Sequence, residues 1–488
     1  MEERQRKPHA IIIPFCFQGH ITPAINLALK LASKGFTLTY IHTEFIHHSI
    51  SKAHNHNSST EVDFFAEARK SGLDIHYSTI SDGFPPEFDR DLNFDEFWDS
   101  MFRDFPVRVD ELVGKTIQSN PSSVYFLIAD TFYSWPAAIA EKYSLVNVSL
   151  WTEPAIVFAI DYHLDLLRQN GHLPWNGDLV HQIDYIPGVQ PISKRDLMSY
   201  LQDDDVTTTL LKIVIKGFEQ VKKADFILCN TIHELESGSL STLNLGKPTY
   251  AIGPINFDTT FTKISVAKSI WPESDCTQWL NSKPPGSVLY ISFVNFIWIL
   301  RPDIAGPDET DILPDGFNNR VKGRGLILSW CNQNIVLSHE SVGGFITHCG
   351  WNSVLESIWY GVPMICYPFI ADQPTNRKLV VSDWKIGINL CDGEQLTMKE
   401  VAQKINLLMS GKTSDDLKQE MKKVSKIMHS ALDMDGSSQR NFVQFLENLK
   451  IGRGICPNRL ENKSCLYTAP TKSPMSRPHL ALVEECEE

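Results

Sequence analysis

Residues 10–15 (AIIIPF) are apolar on both faces; residues 24–35 (AINLALKLASKG) are apolar at helical spacing; residues 36–45 (FTLTYIHTEF) are again β-branched and aromatic. A strand buried on both faces belongs to a parallel sheet, and a parallel return needs a crossover, usually a helix. The unit is therefore β-α-β, with Thr22 expected as N-cap, Pro23 as the first helical residue and Gly35 as the stop. Residues 124–130 (VYFLIAD) and 224–230 (ADFILCN) read as two more buried strands, the second followed by a helix start in TIHELE. One doubly wound α/β domain accounts for residues 1–250, and the Gly-Pro punctuation of YAIGPINFDTTF marks a linker at about 250–270.

A second α/β domain occupies residues 251–436. GFITH (344–348) is a strand, NSVLESIWY (352–360) a helix closed by Gly361, and MICYPF (364–369) the next strand. Thr397 with Glu400 forms a capping box, and a helix follows at about 415–432. Residues 437–450 form a last amphipathic helix with Phe442, Phe445, Leu446 and Leu449 on one face. The stretch 451–488 has neither helical nor strand period and is expected to be a disordered tail.

Composition excludes several classes. A formal net charge of −13 argues against nucleic acid as partner, since affinity there rests on basic surface. The N-terminal apolar run is too short to span a membrane and has no small-residue cleavage site, so a cytoplasmic chain without an integral membrane segment is expected. The 10 cysteines show no C-x-x-C and no zinc spacing, which favours reduced thiols and no metal. Histidine-bearing stretches HTEFIHH and AHNHN lack matched ligand spacing and read as solvated loop.

The chemistry concentrates in FITHCGWNSVLES. A strand runs directly into a helix, so the first amides, those of Trp351, Asn352 and Ser353, face the carboxyl end of the sheet as an anion site. Gly350 allows close approach of a ligand, and His348 adds a donor. The next loop, IADQ, returns to the same edge and brings Asp372 and Gln373, a carboxylate beside a carboxamide, suited to sugar hydroxyls. Ser353 with Glu356 also fits a capping box without any ligand, and His348 and Trp351 fit a strand end and a core position. In the first domain, His20 precedes a helix start and Asp130 ends a strand at the same sheet edge, which suits a His–Asp dyad; a loop histidine and a helix cap are the plain alternatives.

Residues 330–373 resemble the sugar-nucleotide signature box of the plant UDP-dependent glycosyltransferases. IIIPFCFQGHITPAINLALKLASKG, ISDGFP, ADFILCNTIHELE, IGPI, CTQWLNSKPPGSVLYISF and GRGLILSWCNQ resemble other parts of that family in the expected order. The resemblance implies a GT-B fold, two Rossmann-like domains facing across a cleft, and inverting, metal-independent transfer by a monomer. By that resemblance Trp330 stacks on uracil, with Cys331 and Gln333 in the same turn. His348, Gly350, Asn352 and Ser353 meet the diphosphate, Glu356 holds the ribose, and Trp351, Asp372 and Gln373 meet the sugar. Gln373 resembles glucose users, so UDP-glucose is the expected donor and no resident cofactor is implied. His20 matches the catalytic base and Asp130 its partner, acting on a small lipophilic acceptor. Trp98, Phe102, Phe105 and Trp151 are candidate walls for that acceptor, with core the favoured account.

One stretch departs from the family. Residues 287–302 (SVLYISFVNFIWILRP) place two buried strands in succession with no crossover and no Asn-Gly or Gly-Gly hairpin signal. The flanks resemble family strands that are separated by a Gly-Ser loop and a helix, so a deletion after Phe293 is inferred and the second domain is expected to lack its first crossover helix. Losing four or five buried apolar side chains at about 2 kcal/mol each forfeits roughly 10 kcal/mol, against a domain stability of about 5–15 kcal/mol. The alternative expectation is accordingly an impaired or inactive isoform that binds small molecules or partners without turnover.

Overall fold

The computed structural model describes residues 7–54, 63–175, 182–257, 264, 266, 269–290, 295–299, 313, 316–391 and 396–451. Its first sheet is built from β1 (Pro8–Ile13), β2 (Thr37–Thr43), β3 (Ile75–Ile80), β4 (Val124–Asp130) and β5 (Val146–Trp151). A separate antiparallel pair, β6 (Gln182–Ile183) and β7 (Ile192–Ser193), intervenes before the sheet is completed by β8 (Phe226–Cys229) and β9 (Thr249–Ala251). The order is β3-β2-β1-β4-β5-β8-β9, parallel throughout. The chain order reverses between β1 and β4, and a crevice opens beyond the carboxyl ends of strands at such a switch point.

The second sheet comprises β10 (Val288–Tyr290), β11 (Asn295–Ile299), β12 (Gly325–Leu328), β13 (Val342–Thr347), β14 (Met364–Cys366) and β15 (Gly387–Asn389). It too is parallel, in the order β12-β11-β10-β13-β14-β15, with its switch point between β10 and β13. Two doubly wound domains of this kind make the fold α/β of GT-B type.

The missing crossover is visible as geometry. β10 and β11 are parallel neighbours, Val288 beside Asn295 and Tyr290 beside Ile297, although only residues 291–294 separate them in sequence. Phe293 and Val294, where the deletion is inferred, lie outside the described residues. Interior parallel strands are covered on both faces, and β13 is buried at every position. β12, despite the sequence GLIL, is only half-buried along its whole length, as are Trp298 and Ile299 of β11.

The capping box at Thr397 is present, with its hydroxyl accepting from the Glu400 amide at 3.2 Å. The last helix, Ser437–Ile451, buries Phe442, Phe445, Leu446 and Leu449 against the first domain, alongside Tyr250 and Phe226. Among the described residues no helix is long and apolar enough to cross a membrane. The expected tail from 452 onward lies outside the described residues.

Three local expectations are corrected. The first crossover helix spans Gln18–Ser33, so Thr22 is no cap and Pro23 lies inside it. A proline in a helix interior leaves the carbonyl four residues earlier without its donor; here that carbonyl, Gly19, accepts from the Asn352 side chain at 2.8 Å. HTEFIHH is the end of β2 and the start of the helix Glu44–His54, with His42 buried and held down to about 3 by desolvation. TIHELE forms a turn, and the helix starts after it, at Ser237.

Candidate functional site

β1 and β4 are hydrogen-bonded neighbours, so the helix after β1 and the last residue of β4 meet at one edge. His20 lies in the first turn of that helix, with Nδ1 2.8 Å from Asp130 Oδ2. Thr152, the first residue beyond β5, places Oγ1 2.7 Å from the same nitrogen. The other Asp130 oxygen accepts from the Phe132 amide at 3.1 Å. A carboxylate only accepts, so this pairing puts the ring hydrogen on Nδ1 and leaves Nε2 as the basic nitrogen. Rings of Phe15 and Phe132, with centroids 5.2 and 5.7 Å from the imidazole, hold its orientation.

The segment carrying Thr152 is itself anchored. Glu236, from the turn after β8, accepts from the amides of Ala155 and Ile156, both at 2.9 Å, and from the Thr231 hydroxyl. These amides open the helix Ala155–Tyr162 and would otherwise be orphan donors. Burial raises the Glu236 carboxyl, and the three hydrogen bonds oppose that shift.

In the second domain β13 ends at Thr347 and the helix Trp351–Tyr360 begins four residues later. The intervening turn is strained: Cys349 has φ 68°, a left-handed conformation unusual for a residue with a Cβ. His348 is exposed, and its ring folds over Gly350; a Cβ on Gly350 would stand 2.4 Å from His348 Nε2. The capping-box account of Ser353 and Glu356 does not hold, because the N-cap is Gly350 and Ser353 lies inside the helix. Both residues instead receive Gln333 Nε2, at 3.0 Å to Ser353 Oγ and 2.6 Å to Glu356 Oε2. Burial pushes the Glu356 carboxyl up to about 7, against the hydrogen bonds from Gln333 and Asn334.

Asp372 Oδ2 accepts from Asn376 Nδ2 at 2.6 Å; burial raises this carboxyl to about 6, with Asn376 and the nearby His20 pulling it down. Gln373 turns its carbonyl oxygen back onto the amides of Phe369 and Ile370, at 2.8 and 3.1 Å. Trp330 is half-buried, leaving ring surface open. Two side chains of the predicted donor set face inward. Cys331 is buried, 3.7 Å from the Tyr290 hydroxyl, and the Trp351 indole donates to the Asn230 carbonyl of the other domain at 2.8 Å.

Several ties among the described residues close the two halves on each other, the Thr375 hydroxyl on the Asp196 carbonyl at 2.7 Å and the Arg377–Asp196 ion pair among them. Besides Asn352 to Gly19 and Trp351 to Asn230, the Ser199 amide donates to the Ala371 carbonyl at 2.9 Å, and the Ala371 amide to the Ser199 hydroxyl at 2.8 Å. This reciprocal pair holds Ala371 at φ 56° and so fixes the loop that carries Asp372. Asn352 is one residue from the first amide of the helix Trp351–Tyr360 and bonds the residue next to His20. The arrangement can therefore bring a basic nitrogen and an anion-binding helix start together in one cleft.

Of the acceptor-wall candidates, Trp98, Phe105 and Trp151 are fully buried core, and Phe102 is half-buried beneath the Lys216 ammonium. Sequence reading missed Thr152, Glu236 and Asn376. Thr152 carried a usable signal, since it directly follows a strand at the carboxyl edge of a parallel sheet.

Comparison with known proteins agrees with this fold. The family model described as UDP-glucoronosyl and UDP-glucosyl transferase matches residues 312–434. UDP-glycosyltransferase 86A1 of Arabidopsis thaliana is 46% identical, over 95% of this chain and 97% of its own length. That alignment runs over 489 positions while covering 95% of a 488-residue chain, so it contains positions that this chain lacks. The 7-deoxyloganetin glucosyltransferase of Catharanthus roseus is 32% identical over 91% of this chain and 97% of its own. Among solved structures, UDP-glucose: anthocyanidin 3-O-glucosyltransferase in complex with UDP superposes with a TM-score of 0.75 at 25% identity, covering 92% of this chain and all of that one. Os79 from O. sativa in complex with UDP shares the fold with a TM-score of 0.74 at 21% identity, over 90% and 100% of the two chains. The fold, the paired switch points and the extent of these similarities show that the chain belongs to the plant UDP-glycosyltransferase family.

Proposed function

We propose that this chain, as a cytoplasmic monomer, transfers glucose from UDP-glucose to a hydroxyl of a small lipophilic acceptor with inversion at the anomeric carbon. His20 Nε2 takes the acceptor proton, and Asp130 on Nδ1 holds the ring and stabilises the imidazolium that forms. The acceptor oxygen attacks the anomeric carbon as the bond to UDP breaks, and the leaving diphosphate takes its negative charge onto the amides at Trp351–Ser353 and onto His348. Trp330 stacks on uracil, Gln333 and Glu356 hold the ribose, and Asp372 and Gln373 hold the sugar. No metal or resident cofactor enters this reading, and UDP-glucose is a co-substrate.

The observation that carries the reading is the Asn352–Gly19 hydrogen bond, which sets the helix start of one domain against the turn bearing His20 in the other. The names of two relatives, both glucosyltransferases, support glucose as the sugar. The residues of the proposed site all come from one chain, which supports a monomer, and no disulfide joins the seven described cysteines, which fits a reducing compartment. A second reading, binding without turnover, is favoured by the half-exposed β11–β12 edge left where the crossover is missing.

Calorimetric titration with UDP-glucose, followed by acceptor-dependent UDP release, separates the two. One-site binding with turnover abolished by His20→Ala supports transfer; turnover that persists in His20→Ala sinks the assigned base. Acceptor binding without UDP release supports the second reading.

A further inference from the structure

The helix Gln373–Lys378 is six residues long, and three consecutive residues of it serve two sets of partners. Thr375 and Arg377 turn to the first domain: the Thr375 hydroxyl donates to the Asp196 carbonyl at 2.7 Å, and the Arg377 guanidinium pairs with the Asp196 carboxylate. Asn376, between them, turns the other way and is wholly buried. Its Nδ2 donates one hydrogen to Asp372 Oδ2 at 2.6 Å and the other to the Cys349 carbonyl at 2.8 Å. A peptide carbonyl only accepts, so the side-chain atom that faces it is the amide nitrogen and not the amide oxygen.

Neither bond is one that local structure asks for. Asp372 is the N-cap of this helix, yet its side chain makes no capping hydrogen bond and reaches Asn376 instead. Cys349 is the residue held at φ 68°, and it is tied on both sides: its amide donates to the Thr347 hydroxyl at 3.0 Å, and its carbonyl accepts from Asn376. A left-handed residue with a Cβ persists only where its surroundings over-determine it. The arrangement leaves Asn376 Oδ1 buried without a partner among the described residues. An orphaned buried acceptor is destabilising, and an apolar side chain of the same size would avoid it, but would lose both donors.

We propose that Asn376 is a positioning residue that locks the Asp372 carboxyl to the turn at residues 348–350, so that one side chain sets both the sugar end and the diphosphate end of the donor site. The inference rests on the functional reading above and deepens it. With both amide hydrogens on Asp372 and Cys349, Asn376 acts through the groups that meet the ligand. The flanking bonds to Asp196 fix the helix against the first domain, so the lock is seated by contacts that also join the halves of the cleft.

The test is calorimetric titration with UDP and with UDP-glucose of the wild-type chain, Asn376→Ala, Asp372→Ala and the double variant. UDP reports the turn alone, and UDP-glucose reports the turn and Asp372 together. Asn376→Ala should weaken UDP about three- to tenfold and UDP-glucose by about a further threefold or more. With Asp372→Ala already present, it should weaken both nucleotides by the same factor. General damage to the domain would lower the two affinities alike in both backgrounds, and that result would overturn the proposal. Unchanged UDP affinity in Asn376→Ala, or an extra loss for UDP-glucose that persists without Asp372, would overturn it too. In each of these cases UDP-glucose binding by the wild-type chain leaves the functional reading standing, whereas a wild-type chain that binds no UDP-glucose would overturn both. Asn376→Ser, which keeps one donor on a shorter arm, replaces Asn376→Ala if the latter fails to fold, and the same factors are compared.

Discussion

Glu356 ties stability to pH in a direction that can be worked out in advance. Its carboxyl ordinarily titrates near 4.5 and in the fold is pushed up to about 7, chiefly by burial. The folded chain therefore holds this proton more tightly than the unfolded chain does. The stabilisation is fully present below about pH 4.5 and is lost as pH rises through about 7. At roughly 1.4 kcal/mol per tenfold difference in proton affinity, the loss approaches about 3 kcal/mol. Glu356→Gln has no proton to release, and its amide oxygen can still accept from Gln333 Nε2. Relative to wild type, the variant should then gain up to about 3 kcal/mol between about pH 5 and about pH 8. Urea unfolding of both proteins without nucleotide measures this, and groups such as Asp372 titrate in both and cancel. A stability difference that is the same at the two pH values would refute the claim that Glu356 is buried and protonated in the fold.

Three further substitutions probe the framework. Glu236→Ala leaves the buried amides of Ala155 and Ile156 without acceptors, and should cost about 2–4 kcal/mol in urea unfolding; a cost under about 1 kcal/mol would mean that water replaces the carboxylate. Asn352→Ala frees the Gly19 carbonyl that Pro23 cannot serve. Hydrogen exchange at the start of the first helix should speed several-fold with a stability loss of about 1 kcal/mol, and unchanged exchange would show that the tie does not hold the domains. Gly350→Ala drives a methyl into the His348 ring, so UDP affinity should fall about tenfold with little change in unfolding midpoint; intact UDP affinity would exclude the imidazole from the phosphate site.

The parts of the fold legible in the sequence are those whose signals are local. β1 from Ala10 onward, and the bodies of β4 and β13, are short runs without polar interruption, and such runs read as buried parallel strands. β5 does not, because VNVSLW carries Asn147 and Ser149 inside; both are buried, and Ser149 is satisfied by the Thr131 hydroxyl at 2.7 Å. Missing that strand meant missing Thr152, which takes its place from the strand's end. The first helix was misplaced because Pro23 reads as a start, and the residue that makes it tolerable, Asn352, is 333 positions away. Every contact that joins the halves of the cleft is of this kind. Local sequence pattern places His20, Asp130 and Asp372 near strand or helix ends, but only the folded chain sets one domain's edge against the other's.

The missing crossover does not weaken all of the donor site equally. β10 remains bonded to β13, with the Val288 amide on Ser341 at 2.7 Å, and its two faces stay packed: Leu289 with Ile346 and Leu408, Val288 and Tyr290 in the main core. The deficit falls on the far edge, where Trp298, Ile299, Leu326, Ile327 and Leu328 are half-buried. Completing their burial at about 1 kcal/mol each would add roughly 5 kcal/mol, the lower bound of a whole domain's stability. β12 leads directly into Trp330 and Gln333, which in the proposed reading hold the nucleoside. His348, the amides at Trp351–Ser353 and Asp372 instead rest on β13, β14 and the ties to the first domain. Loss of cover on β12 therefore loosens the uracil end of the site first and leaves the diphosphate and sugar end supported.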